Sequence, residues 1–235
     1  MRKHLYDTIA TRWIPGNGSV WIISDPHFKD ADSMYFREDY PGDDALIKAI
    51  NSNVCKNDTI VFLGDIGDLG CVSRIRGYKV LLLGNHDGGA SKYRRTNEIR
   101  CPKCHSTDLS SHVDGFCKLV VACNGCGEHG VFDRSWEYDD RLFDEVFEGP
   151  LMINDRTILS HEPIPDLPPY LFNIHGHTHD LPFDWDANHR NVCAEAIGYK
   201  PINLLRLFDD GLLSDVQDIH RHAVDKAIRR KNHRV

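Results

Sequence analysis

Five polar clusters in this 235-residue chain carry the side chains able to do chemistry: Ser24-Asp25-Pro26-His27, Gly64-Asp65-Ile66-Gly67-Asp68, Gly84-Asn85-His86-Asp87, His161-Glu162 and Gly176-His177-Thr178-His179. Together they offer carboxylate, imidazole and amide donors. That mixture suits Mn²⁺, Fe or Zn²⁺ and is too rich in nitrogen for a dedicated Mg²⁺ or Ca²⁺ cage. A divalent ion held by such donors lowers the pKa of a bound water towards about 7, which makes hydroxide available at neutral pH. A separate set, Cys101-Pro102-Lys103-Cys104 and Cys123-Asn124-Gly125-Cys126, has the two-knuckle spacing of a four-thiolate zinc site, with residues 105 to 122 between the pairs.

The elements that must position these clusters are legible as short apolar runs. Val20 to Ile23, Thr59 to Leu63, Val80 to Leu83, Thr157 to Leu159 and Leu171 to Ile174 each lead directly into one cluster, and each is bounded by polar or turn-forming residues. Such runs predict buried strands. Asp43 to Ile50, with its acidic start, predicts a crossover helix returning the chain to a parallel neighbour. In an α/β fold the loops beyond the carboxyl ends of strands gather at one edge, so clusters far apart in the chain can meet there.

From about Thr96 to Asp133 the apolar runs give way to Cys, His, Ser and Gly. This predicts an insertion at 96–133 that divides a core into 1–95 and 134–211. Ser214-Asp215-Val216-Gln217 has the form of a capping box, and Val216, Ile219, Ala223 and Ala227 follow at helical spacing, so 212–235 is predicted to be a C-terminal basic helix. Its Lys226, Arg229, Arg230, Lys231 and Arg234 suit the negative end of a helix dipole as well as a phosphate partner.

Composition narrows the classes. Residues AVILMFWYC make up 41% and DEKR 27%, and the mean hydropathy is -0.42, which excludes collagen-like, disordered and membrane-spanning readings. The formal charge of -7 argues against a whole-surface polyanion binder. Of the eight cysteines, Cys55, Cys71, Cys117 and Cys193 are scattered and the rest are paired as Cys-x-x-Cys, a pattern of metal binding in a reducing compartment rather than of a disulfide framework. Asp7 and Arg12 stand where a signal peptide needs an apolar stretch, so the expected location is cytoplasmic, with no membrane partner.

Taken in order, Asp-x-His, Gly-Asp-x-x-Asp, Gly-Asn-His-Asp, a lone His and Gly-His-x-His resemble the calcineurin-like metallophosphoesterase superfamily, over roughly residues 18 to 95 and 150 to 205. The resemblance implies a layered α/β sandwich with two central mixed β-sheets flanked by helices. It implies a dinuclear centre in which Asp25, His27 and His179 hold one metal, Asn85, His161 and His177 hold the other, and Asp65 bridges them. Physics agrees that two like charges need a shared ligand, which a carboxylate can be. The expected metal is Mn, with Fe, Zn, Ni or Co as alternatives. Asn85 and His86 would contact the substrate, His86 would protonate the leaving group, and Asp68 would pair with His86 to set its tautomer. His175, Glu162 and Asp87 are read as packing, turn or outer-layer residues.

Within the resemblance, protein Ser/Thr phosphatases carry an Arg directly after Gly-Asp-x-x-Asp and another before Gly-Asn-His, where this chain has Leu69 and Leu83. Without those bidentate clamps for a dianion, the expected substrate is a phosphodiester of a nucleotide or nucleic acid. A phosphomonoesterase acting on a small molecule or nucleotide is the alternative, and a non-catalytic metal-dependent module binding nucleic acid or protein is the alternative of another class.

The insertion looks like a zinc ribbon. It would hold one structural Zn through Cys101, Cys104, Cys123 and Cys126, and Lys118 to Ala122 predicts a strand entering the second knuckle. Cys117, His105, His112 and His129 are nearby alternative ligands. Lys92, Arg94, Arg95 and Arg100, with Tyr93, read either as contacts to nucleic-acid phosphates and bases or as a solvated linker.

Overall fold

The computed structural model describes residues 18–37, 39–90, 93, 99–104, 106–133, 136, 142–181, 187–218, 223–224, 226 and 228–230, with 34–36 as backbone only. The chain divides into two compact units, Met1–Lys92 with Leu142–Val235, and Tyr93–Arg141. In the first unit the elements are β1 (Val20–Ile23), α1 (Ala31–Phe36), α2 (Asp43–Asn53), β2 (Thr59–Phe62), the single turn α3 (Leu69–Val72) and β3 (Tyr78–Leu82). The second unit contributes β4 (Leu109–Val113), β5 (Leu119–Cys123) and β6 (His129–Val131). The first unit then resumes with β7 (Glu145–Phe147), β8 (Leu151–Met152), β9 (Thr157–Leu159), β10 (Phe172–His175), β11 (His189–Asn191), β12 (Ile202–Asn203) and α4 (Leu204–Asp209).

The first unit is a layered α/β arrangement with two mixed sheets. One has the order β12-β1-β2-β3-β7 and the other β11-β10-β9-β8. In the larger sheet β1, β2, β3 and β7 run parallel, with Val20 opposite Thr59 and Thr59 opposite Tyr78, while β12 joins β1 antiparallel. In the smaller, β9, β10 and β11 are parallel and β8 pairs antiparallel with β9. The β-branched runs explain the strands: residues such as Ile22, Val61 and Val80 fit a pleated surface that is buried on both faces.

Side-chain alternation along each strand places Val20, Ile22, Val61, Leu63, Val80 and Leu82 in one core with Leu159, Phe172, Ile174 and Val192 of the second sheet. The residues between them, Ile23, Ile60, Phe62 and Leu81, are also buried, and α2 buries only its stripe Leu46, Ile47 and Ile50. Two mixed sheets packed on one buried core hold their strand ends still. That rigidity is inherited by the loops that follow them.

Asp58 sets where β2 begins. Its carboxylate, 8% exposed, accepts the Ser19 N–H at 2.8 Å, the Trp21 indole N–H at 3.1 Å and the Cys55 N–H at 2.8 Å, which ties the start of β1 to the turn entering β2.

The second unit is a three-stranded antiparallel sheet, β4-β5-β6, over a small cluster of Cys101, Val121, Cys123 and Trp136, with Leu109 and Phe132 packed on it. The Asp114 carboxylate closes the β4–β5 hairpin by accepting the N–H groups of Phe116 at 2.8 Å and Lys118 at 2.9 Å.

Two expectations are corrected. Ser214 does not open a helix: residues 211–215 form turns and the Gln217 N–H is given to Pro169 O at 2.9 Å, because Val216 is drawn into the main core. Helical backbone is found instead at 223–224, 226 and 228–230, which carries Lys226, Arg229 and Arg230; Ile219, Ala227, Lys231 and Arg234 lie outside the described residues. Tyr93, 2% exposed, is buried and has no face to offer a base; Lys92, Arg94, Arg95 and His105 lie outside the described residues. Among the described residues no helix is long and apolar enough to cross a membrane.

Asp58→Ala removes the acceptor from three N–H groups and is expected to cost about 3 kcal/mol, read as a lowered urea midpoint with an unchanged slope, and Asp58→Asn should recover part of it.

Candidate metal centre

The loops beyond β1, β2, β3, β9 and β10 bring Asp25, His27, Asp65, Asn85, His161, His177 and His179 together. Five of these residues sit in the left-handed region that L side chains avoid: Asp25 (φ 55°), His27 (φ 43°), Asp65 (φ 53°), His177 (φ 69°) and His179 (φ 50°). Each costs of order 1–3 kcal/mol, and the cost is borne because the loops are cross-tied. Asp87 is one tie, its carboxylate accepting the N–H groups of Asp65 and Gly84 at 2.9 Å and of Ile66 at 3.1 Å. Gly176 is another, since a Cβ there would stand 2.4 Å from an Asp25 carboxylate oxygen.

Asp65 lies at the middle, 2% exposed. Its Oδ1 accepts the His86 N–H at 2.9 Å, while Oδ2 lies 3.6 Å from His27 Nε2 and 3.4 Å from His161 Nε2. On one side are Asp25, His27 and His179, whose ligand atoms all fall within 4.8 Å of one another. On the other, His161 Nε2 is 2.7 Å from Asn85 Oδ1, and His177 Nδ1 is 3.0 Å from Asn85 Oδ1 and 3.2 Å from His161 Nε2.

The rings are held from behind. His161 Nδ1 donates to Leu63 O at 2.7 Å, His27 Nδ1 to Asp30 Oδ2 at 3.1 Å and His179 Nδ1 to Glu195 Oε1 at 3.0 Å. Carbonyl and carboxylate oxygens accept here, so each Nδ1 carries a proton and each Nε2 is left facing the centre, while the hydrogen bond to Glu195 holds the pKa of His179 above its usual value. Asp25 is fully buried; its Oδ2 accepts the His177 N–H at 2.9 Å and the Cys193 thiol at 3.2 Å, while Oδ1 faces His27 Nε2 at 3.8 Å and both of those atoms are buried without a hydrogen-bond partner.

Buried acceptor atoms that face one another with no proton between them are costly unless a cation sits among them. The donor set therefore fits divalent metal ions. Protonation agrees. Burial keeps His27 below its usual pKa, so it is neutral and ready to ligate, and burial pushes Asp65 up, a penalty that a bound cation would offset. Burial likewise keeps the Cys193 thiol protonated as a donor to Asp25.

His86 stands at the exposed rim, its ring set edge-on against His27 with centroids 5.5 Å apart. Asp68 is not brought onto it. The Asp68 carboxylate instead caps α3 by accepting the Cys71 N–H at 3.1 Å and receives the Lys29 ammonium at 3.1 Å. His175 is buried in β10 with its Nδ1 on Gly176 O at 2.9 Å. Beside Asn85 and His161 opens a cleft of about 460 Å³ walled by Leu83, Pro150, Pro163 and Ile164, with Glu148 and Glu162 in its lining and no Lys or Arg among the described residues that form it.

Sequence reasoning missed Glu195, Arg37, Cys193 and Asp30. Asp30 had a signal in its i+3 spacing from His27; Glu195 and Arg37 had none, because only the fold brings them to the site.

The four paired cysteines of the second unit converge separately. Cys101 and Cys126 sulfurs are 3.5 Å apart, as are Cys104 and Cys123, and all four fall within 4.8 Å of one another. A tetrahedral ion with metal–sulfur bonds of about 2.3 Å needs sulfurs about 3.8 Å apart, so the cluster has the right size. The N–H of Cys126 draws the Cys123 thiol down to about 7, while the neighbouring thiols hold Cys126 and Cys104 above the usual range. Cys117 sits away in the exposed hairpin turn, and His112 and His129 lie on exposed strand positions.

Comparison with known proteins follows the same lines. A family model for calcineurin-like phosphoesterases matches residues 18–181. A solved structure, a protein of unknown function from Aquifex aeolicus, shares the fold at a TM-score of 0.52 and 19% identity over 83% of this chain and 99% of that one. No curated protein matches the chain.

Adding Mn²⁺ to chelator-stripped protein is expected to raise the thermal midpoint, each site contributing about 2.7 kcal/mol at a hundredfold excess over its Kd. Asp65→Asn should lose most of that gain in differential scanning calorimetry, because the carboxylate lies between both groups of donors.

Proposed function

Because this chain belongs to the calcineurin-like phosphoesterase family and is thus a metal-dependent phosphoric ester hydrolase, we propose that it is a phosphodiesterase acting on a nucleotide or nucleic-acid phosphodiester. The observation that carries the dinuclear reading is Asp65, whose carboxylate lies between two sets of donors. Asp25, His27 and His179 would hold one ion and Asn85, His161 and His177 the other, with Mn²⁺ the best match to the mixed oxygen and nitrogen set and Fe, Zn²⁺, Ni²⁺ or Co²⁺ as substitutes. Bound there, two such ions supply Lewis acidity that makes water nucleophilic at neutral pH and neutralises the phosphoryl oxygens.

The chain's own residues do the rest. The left-handed loops and the Nδ1–H bonds of His27, His161 and His179 hold the donors in place before substrate arrives, so no reorganisation is needed as charge builds on phosphorus. The Asn85 side-chain amide, with its oxygen towards His161 and His177, leaves its NH₂ to donate to a phosphoryl oxygen. His86, exposed at the rim and close to His27, is placed to give its ring proton to the departing alkoxide. Asp68, whose Oδ1 takes the Lys29 ammonium and the Cys71 N–H, makes no hydrogen bond to His86 among the described residues.

Preference for a diester is supported by what borders the site. Leu83 and Leu69 stand where arginines clamp the dianion in protein Ser/Thr phosphatases, and Glu148 and Glu162 in the cleft disfavour further negative charge. An uncharged or planar ester group would pack on Leu83, Pro150, Pro163 and Ile164. In the second unit, Cys101, Cys104, Cys123 and Cys126 would bind one structural Zn²⁺, stapling a segment whose own apolar cluster is too small to hold it.

With Mn²⁺, turnover of bis-nitrophenyl phosphate is expected to exceed that of nitrophenyl phosphate; the reverse order would favour a monoesterase. His86→Asn should keep both ions by metal analysis and lower kcat about 10²- to 10⁴-fold for alkyl esters but much less for nitrophenyl esters, whose leaving group needs no proton. Equal losses would remove His86 from the proton-donor role. Cys104→Ser is expected to release the zinc that the wild type retains through dialysis against a chelator.

A further inference from the structure

We infer that Arg37 and Glu195 are positioning residues that set the affinity of one of the two metal sites, the one formed by Asp25, His27 and His179; the inference rests on the dinuclear reading above. Arg37 follows α1 and is 7% exposed, and its guanidinium spans three partners. Nη1 donates to Pro26 O at 3.0 Å, Nη2 to Asp25 O at 3.2 Å, and Nε pairs with Glu195 Oε1. It also stacks on Tyr40, 4.5 Å from the ring centroid. The same Glu195 oxygen takes the Nδ1–H of His179.

One buried ion pair thus reaches two donor-bearing loops at once: through Arg37, the Asp25-Pro26-His27 backbone, which is left-handed at Asp25 and His27, and through Glu195, the ring of His179. A buried ion pair is a poor way to gain stability, since an apolar pair of similar volume often does as well or better. What an apolar pair cannot do is fix the His179 tautomer, raise the basicity of its Nε2 and hold two backbone carbonyls at set points. Glu195 bears directly on His179 alone among the ligands, so the effect should be confined to that ion.

The test uses the full chain, stripped with chelator and titrated with Mn²⁺ alone by calorimetry, with bound metal counted after equilibrium dialysis. Glu195→Ala and Arg37→Met are expected to weaken one of the two ions by about 10- to 100-fold and leave the other within about threefold. Glu195→Gln, whose amide oxygen still accepts from His179 without the charge, and Arg37→Lys should fall between these and wild type, and they serve if the larger truncations fail to fold. His179→Asn and Asp65→Asn are the controls. Wild-type binding of both ions in every Glu195 and Arg37 variant, with one ion lost in His179→Asn, overturns the inference and leaves the dinuclear reading standing. If His179→Asn and Asp65→Asn bind as wild type does, the dinuclear reading fails and the inference falls with it. Equal weakening of both ions by Glu195→Gln overturns it too, since that is the mark of a general structural role.

Discussion

A carboxylate and imidazole nitrogens packed together out of reach of water, with their lone pairs turned towards one another, is the constraint on which this molecule depends. Asp25 and Asp65 are almost wholly buried, and the inward nitrogens of His27 and His161 face them. The outward nitrogens of both rings are committed to Asp30 and Leu63 O, so as neutral rings they turn only lone pairs towards the buried oxygens. Cations resolve the conflict. The fold has the character of a scaffold built to hold a cluster of acceptors that would otherwise separate.

The price of that cluster shows in the backbone. The donor-bearing loops turn through left-handed conformations immediately beyond the strands, which aims side chains at one point where an extended chain would send them to opposite faces. Buried parallel strands supply the rigidity, and Asp87, Gly64 and Gly176 supply the close approach between loops. Gly64 shows how tight this is: a Cβ there would stand 2.5 Å from Gly84 N and 2.7 Å from His161 Nδ1. The ion pair of Arg37 and Glu195 belongs to the same scheme, joining the Asp25-Pro26 backbone to the His179 ring from outside the donor cluster.

The second unit answers a different problem with the same physics. Its sheet leaves Val113, Phe116, Leu119 and Val131 exposed, and its interior is a handful of side chains that includes two of the four clustered cysteines. So little apolar area cannot offset the entropy of ordering such a segment, and a closed thiolate site is the usual remedy.

Much of this was legible from residue order alone. The runs Val20 to Ile23, Thr59 to Leu63 and Thr157 to Leu159 mark strands because β-branched residues with turn formers behind them have few other uses, and the clusters that follow identify the chemistry because metals demand particular atoms. The paired cysteines are equally plain. Short strands such as β8, β11 and β12 left no pattern, since two or three residues cannot display a period, and the capping box at Ser214 misled because tertiary burial of Val216 outweighed a local preference. Asp68 was placed by its motif beside His86, yet its carboxylate is taken by Lys29 and the α3 N-terminus. Residue types and their order, then, determined which atoms are available and which strands carry them. Which oxygen faces which nitrogen, and that Arg37 and Glu195 stand behind His179, was decided by packing between segments far apart in the chain, because hydrogen-bond partners across such distances leave no spacing for a one-dimensional reading to find.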